Sequence, residues 1–282
     1  FVFVNPDPGA KPLAQHLGIL SEHFQGTPLD RRKVALHVQK ILPANWKASQ
    51  EAFMEAYHNF HTHHSPNGAN AQYDIFGENL SRFIHNIGSY SPESLADYPG
   101  KKWRDPVLTE EEMLAGLAVN PAPLQEGETA RSVAAQQMRE DYLARLGVDL
   151  STYSDSLMLD SIEYHLFPNM FMFPGVMVPM VYRFRPLGMD VDQCVFDLLI
   201  MEPLPDGAEV PLPPEPIRLE VEQSYTEVEA LSWLGPVYDE DTGNLALQQQ
   251  GLKTSRKGIT LGNYQEARIR NLHKTLDKYL NS

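Results

Sequence analysis

The chain has one cysteine in 282 residues, Cys194. A single thiol excludes an internal disulfide framework and fits a reducing compartment, so a cytoplasmic location is expected. It also excludes a cysteine-ligated iron–sulfur cluster or a Cys-type zinc site held by this chain alone. Long apolar runs are missing as well. The richest stretch, Leu166 to Tyr182, is interrupted by Pro168, Pro174 and Pro179. Nothing approaches the roughly 20 residues that a membrane-spanning helix needs. Positive charge is scarce: 23 Lys and Arg face 37 Asp and Glu, a formal net charge of −14. Binding to a nucleic-acid backbone needs a basic face, so that class of partner is excluded. There is no internal repeat and no low-complexity segment. The opening Phe1-Val-Phe-Val-Asn-Pro lacks the basic n-region and apolar core of a signal peptide. It reads as a strand entering a turn, and a start without methionine predicts further sequence upstream.

What is present supports a large folded core. The hydrophobic share of 42% is that of a globular protein, and the length suits one large domain or two small ones. Periodicity and punctuation predict short helices at Pro12–Phe24 and Thr109–Val119 and a longer one at Thr129–Leu146. Thr109 and Glu112 have capping-box spacing. Strands are expected at Lys33–Leu42, Tyr73–Phe76, Leu80–Ile87, Ser161–Phe173, Met177–Phe184 and Gln193–Glu202. Residues 91–108 and 203–216 read as loops. After an irregular or strand-like stretch at 218–226, a short helix is expected at Glu227–Leu234. Pro236 should open a further helix that Gly251 caps, and Tyr264–Leu280 should form a closing amphipathic helix. Helices among antiparallel strands make an α+β fold, a twisted sheet packed on helices. The Met- and Phe-rich run Leu166–Phe173 would either line an apolar cavity in such a fold or belong to its core.

The most informative segment is Glu51-Ala-Phe-Met-Glu55-Ala-Tyr-His58-Asn-Phe-His61-Thr-His63-His64. The apolar positions Trp46, Phe53, Tyr57 and Phe60 predict a helix from Asn45 to about Thr62, stopped by Ser65-Pro-Asn-Gly. Four histidines and two carboxylates suit divalent iron, zinc or copper better than calcium or magnesium. Helical spacing pairs His58 with His61, or Glu55 with His58. His58 and His63 are five apart, about 140° around a regular helix, and could meet only if the helix unwinds or bulges. A solvated, histidine-rich helix end is the structural alternative.

Asn45-Trp46-Lys47, Glu51-Ala-Phe53, then Glu55-Ala-Tyr57-His58 and His63 after four residues resemble the catalytic domain of Rieske non-heme iron aromatic-ring-hydroxylating oxygenase alpha subunits. The opening Phe-Val-Phe-Val-Asn-Pro-Asp-Pro, the late Val237-Tyr-Asp239-Glu-Asp241 with Gln248, Gly251-Leu252 and Ser255, and the closing Glu266–Leu280 fit the same family. The resemblance spans almost the whole chain. It implies a helix-grip fold over residues 1–282, an antiparallel sheet wrapped around a long C-terminal helix with an apolar pocket. It implies mononuclear Fe(II) on His58, His63 and Asp241, a 2-His-1-carboxylate site with positions open for dioxygen chemistry. Asp241 is preferred over Asp239 by that match, and Gln248, seven residues on, is expected to support it. Glu55 is implied as the acid that bridges to the [2Fe-2S] Rieske cluster of a neighbouring subunit in a homotrimer. Its structural alternative is a partner of His58 or a solvated acid. The Cys-x-His and Cys-x-x-His pairs of a Rieske domain are absent, and an amide often found near the iron is replaced by Ala52. Electrons must then come through a Rieske domain upstream or on a partner, fed by a ferredoxin or reductase. The implied reaction is oxygenation of a small aromatic or apolar substrate with dioxygen, dihydroxylation ahead of monooxygenation such as demethylation. The rivals are a hydrophobe-binding helix-grip protein with a vestigial metal site, and a zinc hydrolase, which lacks His-Glu-x-x-His.

Overall fold

A computed structural model describes residues 1–56, 58, 62–63, 71–87 and 109–281. The expected loop at 91–108, the stop at 65–68, and His61 and His64 lie outside the described residues. The first helical stretch is two short helices, α1 (Leu13–Leu17) and α2 (Leu20–His23). Gly18, at φ 55°, ends the first of them, because a positive φ suits glycine and interrupts the helix. The long strand β1 (Arg32–Leu42) follows, then the helix α3 (Trp46–Glu51). Next are the hairpin strands β2 (Ala71–Ile75) and β3 (Leu80–His85). A helical outlier follows, made of α4 (Glu110–Leu117), α5 (Ala130–Leu146) and α6 (Asp155–Leu159). The capping box expected at Thr109 and Glu112 is formed in both directions. Gly147, at φ 68°, closes α5.

The expected strand at 161–173 is two strands, β4 (Ser161–Leu166) and β5 (Met170–Met172), turning at Pro168. Then come β6 (Met180–Leu187), β7 (Asp190–Pro203) and the three-residue β8 (Ile217–Leu219). Together they form one eight-stranded sheet in the order β2-β3-β4-β5-β6-β7-β1-β8. Every pairing is antiparallel except β1 with β8. The last helices are α7 (Leu234–Thr242), α8 (Leu245–Thr254) and α9 (Ala267–Leu280).

Alternation along the strands builds two apolar layers. Met180, Tyr182 and Phe184 of β6 face inward, with Phe53, Phe196, Tyr225, Tyr238 and, from α9, Ile269 and Leu272. Val181 faces the other way and packs with Ile162, Tyr164 and Leu166 under α1 and α2. The outlying helices bury a separate small core around Met113, Ala134 and Met158. The long C-terminal helix buries Arg268, Ile269, Leu272 and Thr275, positions on one helical stripe. This is the helix-grip arrangement. Phe167, Phe171 and Phe173, in the run read as either cavity wall or core, are packed into the inner layer.

Candidate metal centre

The segment bearing the histidines is not one helix. Asn45 caps α3 by accepting the Lys47 N–H at 3.1 Å, as the Asn-Trp-Lys motif allows. The helix then tightens, with Phe53 N–H bonded to Gln50 O and Met54 N–H to Glu51 O, both three residues back. Side chains from far along the chain take the next backbone groups. Arg268 Nη1 donates to Met54 O at 3.2 Å, and Ala56 N–H donates to the Tyr73 hydroxyl at 3.0 Å. Helical geometry is therefore lost before His58, earlier than the expected break between His58 and His63. Among the described residues one i to i+4 bond, Thr62 N–H to His58 O, lies between the two histidines.

That break lets His58 and His63 face each other. Their rings are 5.3 Å apart, and their Nε2 atoms stand 3.4 and 3.1 Å from Asp241 Oδ1. The three ligand atoms all lie within 4.8 Å of one another. Each imidazole is also held at Nδ1 by a second carboxylate: His58 by Glu55 at 2.7 Å, His63 by Glu240 at 2.9 Å. An ionised carboxylate only accepts, so each Nδ1 donates to its glutamate and each Nε2 is turned to Asp241, where a proton or a cation would lie between them. Asp241 Oδ1 is buried and has no hydrogen-bonding partner. A buried carboxylate oxygen facing two imidazole Nε2 atoms is a donor set that a divalent cation would satisfy, and the residue types are those of non-heme iron.

The electrostatics favour positive charge here. Burial pulls His58 down, but Asp241 and Glu55 outweigh it and lift its pKa to about 9. His63 is raised, chiefly by Asp241. Burial pushes the Asp241 carboxyl up, yet the two histidines hold it below its usual value. A proton and a metal compete for the same lone pairs, so carboxylates that favour one also favour the other.

The other expected site residues separate clearly. Asp239 turns away: its carboxylate accepts the Tyr225 N–H at 3.0 Å and the Ser224 hydroxyl. Gln248 does not support Asp241. It is exposed, because the chain breaks between α7 and α8 and the seven-residue helical register is lost. The neighbouring Gln249 is buried instead and accepts the Asn45 N–H at 3.0 Å. Gly251 lies inside α8 rather than capping it, and Pro236 is the third residue of α7 rather than its first. Gly243 marks the real break, since a Cβ there would meet Asp239 O at 2.8 Å. Glu55 spends both oxygens on His58, Oε1 on Nδ1 and Oε2 on the backbone N–H at 3.1 Å.

Three groups near the site had no sequence signal. Glu163 and Arg268 form a fully buried ion pair at 2.7 Å, and Arg268 also bonds Ser81 Oγ at 3.1 Å. Burial lifts the Glu163 carboxyl to about 7 against the pull of Arg268. Tyr238, one turn before Asp241, shares a 2.6 Å hydroxyl contact with Tyr182 in the inner aromatic layer. Packing of α7 and α9 against the sheet brings these groups together, and no local spacing announces it.

The fold and this constellation define an α+β helix-grip domain carrying two histidines and one carboxylate poised around a single point. The family model described as ring hydroxylating alpha subunit (catalytic domain) matches residues 27–282, and the chain belongs to that family. Among solved structures it is similar to a quaternary ammonium Rieske monooxygenase, CntA. With the inhibitor MMV12 bound, that structure matches at a TM-score of 0.52 and 15% identity, covering 98% of this chain and 58% of the other. With gamma-butyrobetaine bound it matches at 0.51 and 15%, covering 98% and 57%. A third structure, reported with carnitine oxidation by gut microbiota and inter-subunit electron transfer, matches at 0.53 and 15%, covering 98% and 58%. The chain thus spans under three-fifths of the length of these structures, and identity this low speaks to fold. No curated protein matches the sequence significantly. Among the described residues no helix is long and apolar enough to cross a membrane.

Proposed function

We propose that this chain is the oxygen-activating part of a Rieske-type oxygenase. It would hold mononuclear Fe(II) on His58, His63 and Asp241 and oxygenate a small aromatic or similarly apolar compound. The observation that carries the reading is the convergence of two imidazole nitrogens and one buried, unpartnered carboxylate oxygen within 4.8 Å. Iron(II) held there supplies the activation of dioxygen. The protein's own contribution is orientation and exclusion of water. Glu55 and Glu240 hold the imidazoles with Nε2 turned inward. Phe53, Tyr182, Phe196 and Tyr238 pack ring against ring in the inner layer, with Tyr238 one turn before Asp241. Electrons would reach the site from a [2Fe-2S] Rieske cluster on another domain or partner, fed by a ferredoxin or reductase, in a trimeric assembly. Dihydroxylation remains the proposed outcome. Monooxygenation is the alternative, the chemistry of the quaternary ammonium enzymes that share the fold. Product analysis with labelled dioxygen separates them, by two retained oxygen atoms against one.

The test is anaerobic Fe(II) titration of the chain and of Asp241→Ala. One iron per wild-type chain is expected, with binding lost in the variant. A wild-type chain that takes up no iron, or a variant that binds it equally well, overturns the reading.

A further inference from the structure

The two histidines of the triad are held in different ways. His58 is held by its own segment: Glu55, three residues earlier, reaches both its Nδ1 and its backbone N–H. His63 is held by a helix nearly 180 residues away. Glu240 Oε2 lies 2.9 Å from its Nδ1, and Asp241 Oδ1 lies 3.1 Å from its Nε2. Adjacent residues of α7 thus grip both nitrogens of one imidazole.

We infer that Glu240 is a positioning residue for the metal site, fixing the tautomer and ring orientation of His63 from the helix that also supplies Asp241. The inference rests on the iron reading above. Three features of the geometry support it. A carboxylate at Nδ1 leaves Nε2 as the acceptor, the only tautomer that can bind a cation there. The grip spans two residues of a partly buried helix, anchored by the almost fully enclosed Tyr238 and Asp241, so a shift of α7 would move His63 and Asp241 together. The triad is then two preassembled halves, Glu55 with His58 and Glu240–Asp241 with His63, which a cation joins. Asp241 Oδ1, buried and facing both Nε2 atoms at 3.4 and 3.1 Å, sits at the junction. Asp239, on the same helix, is committed to Ser224 and Tyr225 and cannot substitute for Glu240.

Co(II) serves as the probe because its visible absorption reports ligand number and geometry. The chain is titrated anaerobically with Co(II) as wild type, Glu240→Gln, Glu240→Ala and Glu229→Ala, an exposed glutamate outside the site. Glu240→Ala should bind about tenfold to a hundredfold more weakly, with an altered Co(II) spectrum. Glu240→Gln should fall between it and wild type, because an amide oxygen still accepts from Nδ1. Glu229→Ala should match wild type, and far-UV circular dichroism should be unchanged throughout. Wild-type affinity and an unaltered spectrum in Glu240→Ala would overturn this inference while leaving the metal reading intact. A wild-type chain that binds no Co(II) would overturn both.

Discussion

At the residue scale, the five-residue spacing of His58 and His63 is the central fact. On a continuous helix these side chains point about 140° apart. Here they meet because Arg268 and Tyr73 draw off the backbone groups at Met54 and Ala56 that a longer helix would have used. Glu55 illustrates how a side chain can serve two readings. Family resemblance makes it the bridge for electrons, whereas within one chain both its oxygens lie on His58. The two roles separate experimentally. Glu55→Ala is expected to weaken iron binding by about tenfold or more, because carboxylates behind a histidine ligand are worth that much. Iron titration alongside turnover with a Rieske partner checks it. Unchanged iron affinity with lost turnover would instead assign Glu55 to electron transfer alone.

At the element scale, the sheet carries its own acid-sensitive joints. Asp197 of β7 is buried without solvent exposure and gathers side chains from β1 and β6. Gln39 donates at 2.9 Å, Arg183 at 3.0 Å and Arg185 at 2.7 Å. Burial alone would raise its pKa, but His37, Arg185 and Gln39 hold it well below the usual carboxylate range. A depressed carboxyl stabilises the fold above its unfolded value near 3.8, and that contribution is lost as pH falls toward the folded value. Asp197→Asn should therefore cost about 1–2 kcal/mol at neutral pH, because Asp197 is buried but Arg183 and Arg185 are partly exposed and screened by solvent. The deficit should shrink below pH ~4. His165 of β4 acts in a higher window. Buried against Phe171 and near Arg268, its pKa is driven down to about 3. The unfolded chain takes up a proton below about 6.5 that the native chain refuses, so stability falls as pH drops from there toward 3. Urea denaturation of His165→Phe should show a flatter dependence across that window. A slope identical to wild type would show that His165 does not govern it.

At the scale of the whole molecule, the sheet wraps α3 and α9 so that Phe53 and Met54, α7 and the C-terminal helix share one inner layer. The chain so folded presents a candidate ligand triad but only one cysteine, Cys194, which is buried. Activating dioxygen for substrate oxidation takes more electrons than one ferrous ion holds. The chain loaded with Fe(II) and given NADH and a reductase should therefore not turn over an aromatic substrate repeatedly. Adding a Rieske partner should start turnover. Product accumulating beyond one equivalent per iron without that partner would show that electrons enter by another route.

Local patterning decided much of this protein. The capping box at Thr109, the cap at Asn45, the strands from Arg32 to Leu42 and from Leu80, and the closing amphipathic helix follow from spacing and residue chemistry within a few neighbours. The grouping of His58, His63 and Asp241 was legible only through the family resemblance, because spacing alone pairs His58 with His61 and leaves Asp239 open; the fold brings the three ligand atoms within 4.8 Å of one another. Other features were settled only by contacts distant in sequence. The end of α3 depends on a guanidinium over 200 residues away and a tyrosine hydroxyl from β2. Which glutamine is buried after the break at Gly243 depends on Asn45 and Asp192, which bond the Gln249 amide and leave Gln248 exposed. Glu240 was visible only as one acid among three. Its distinction from Asp239 is the direction each leaves α7, and directions around a helix acquire meaning only when the partner surfaces are in place. Spacing sets which residues can share a face; long-range packing decides what that face meets.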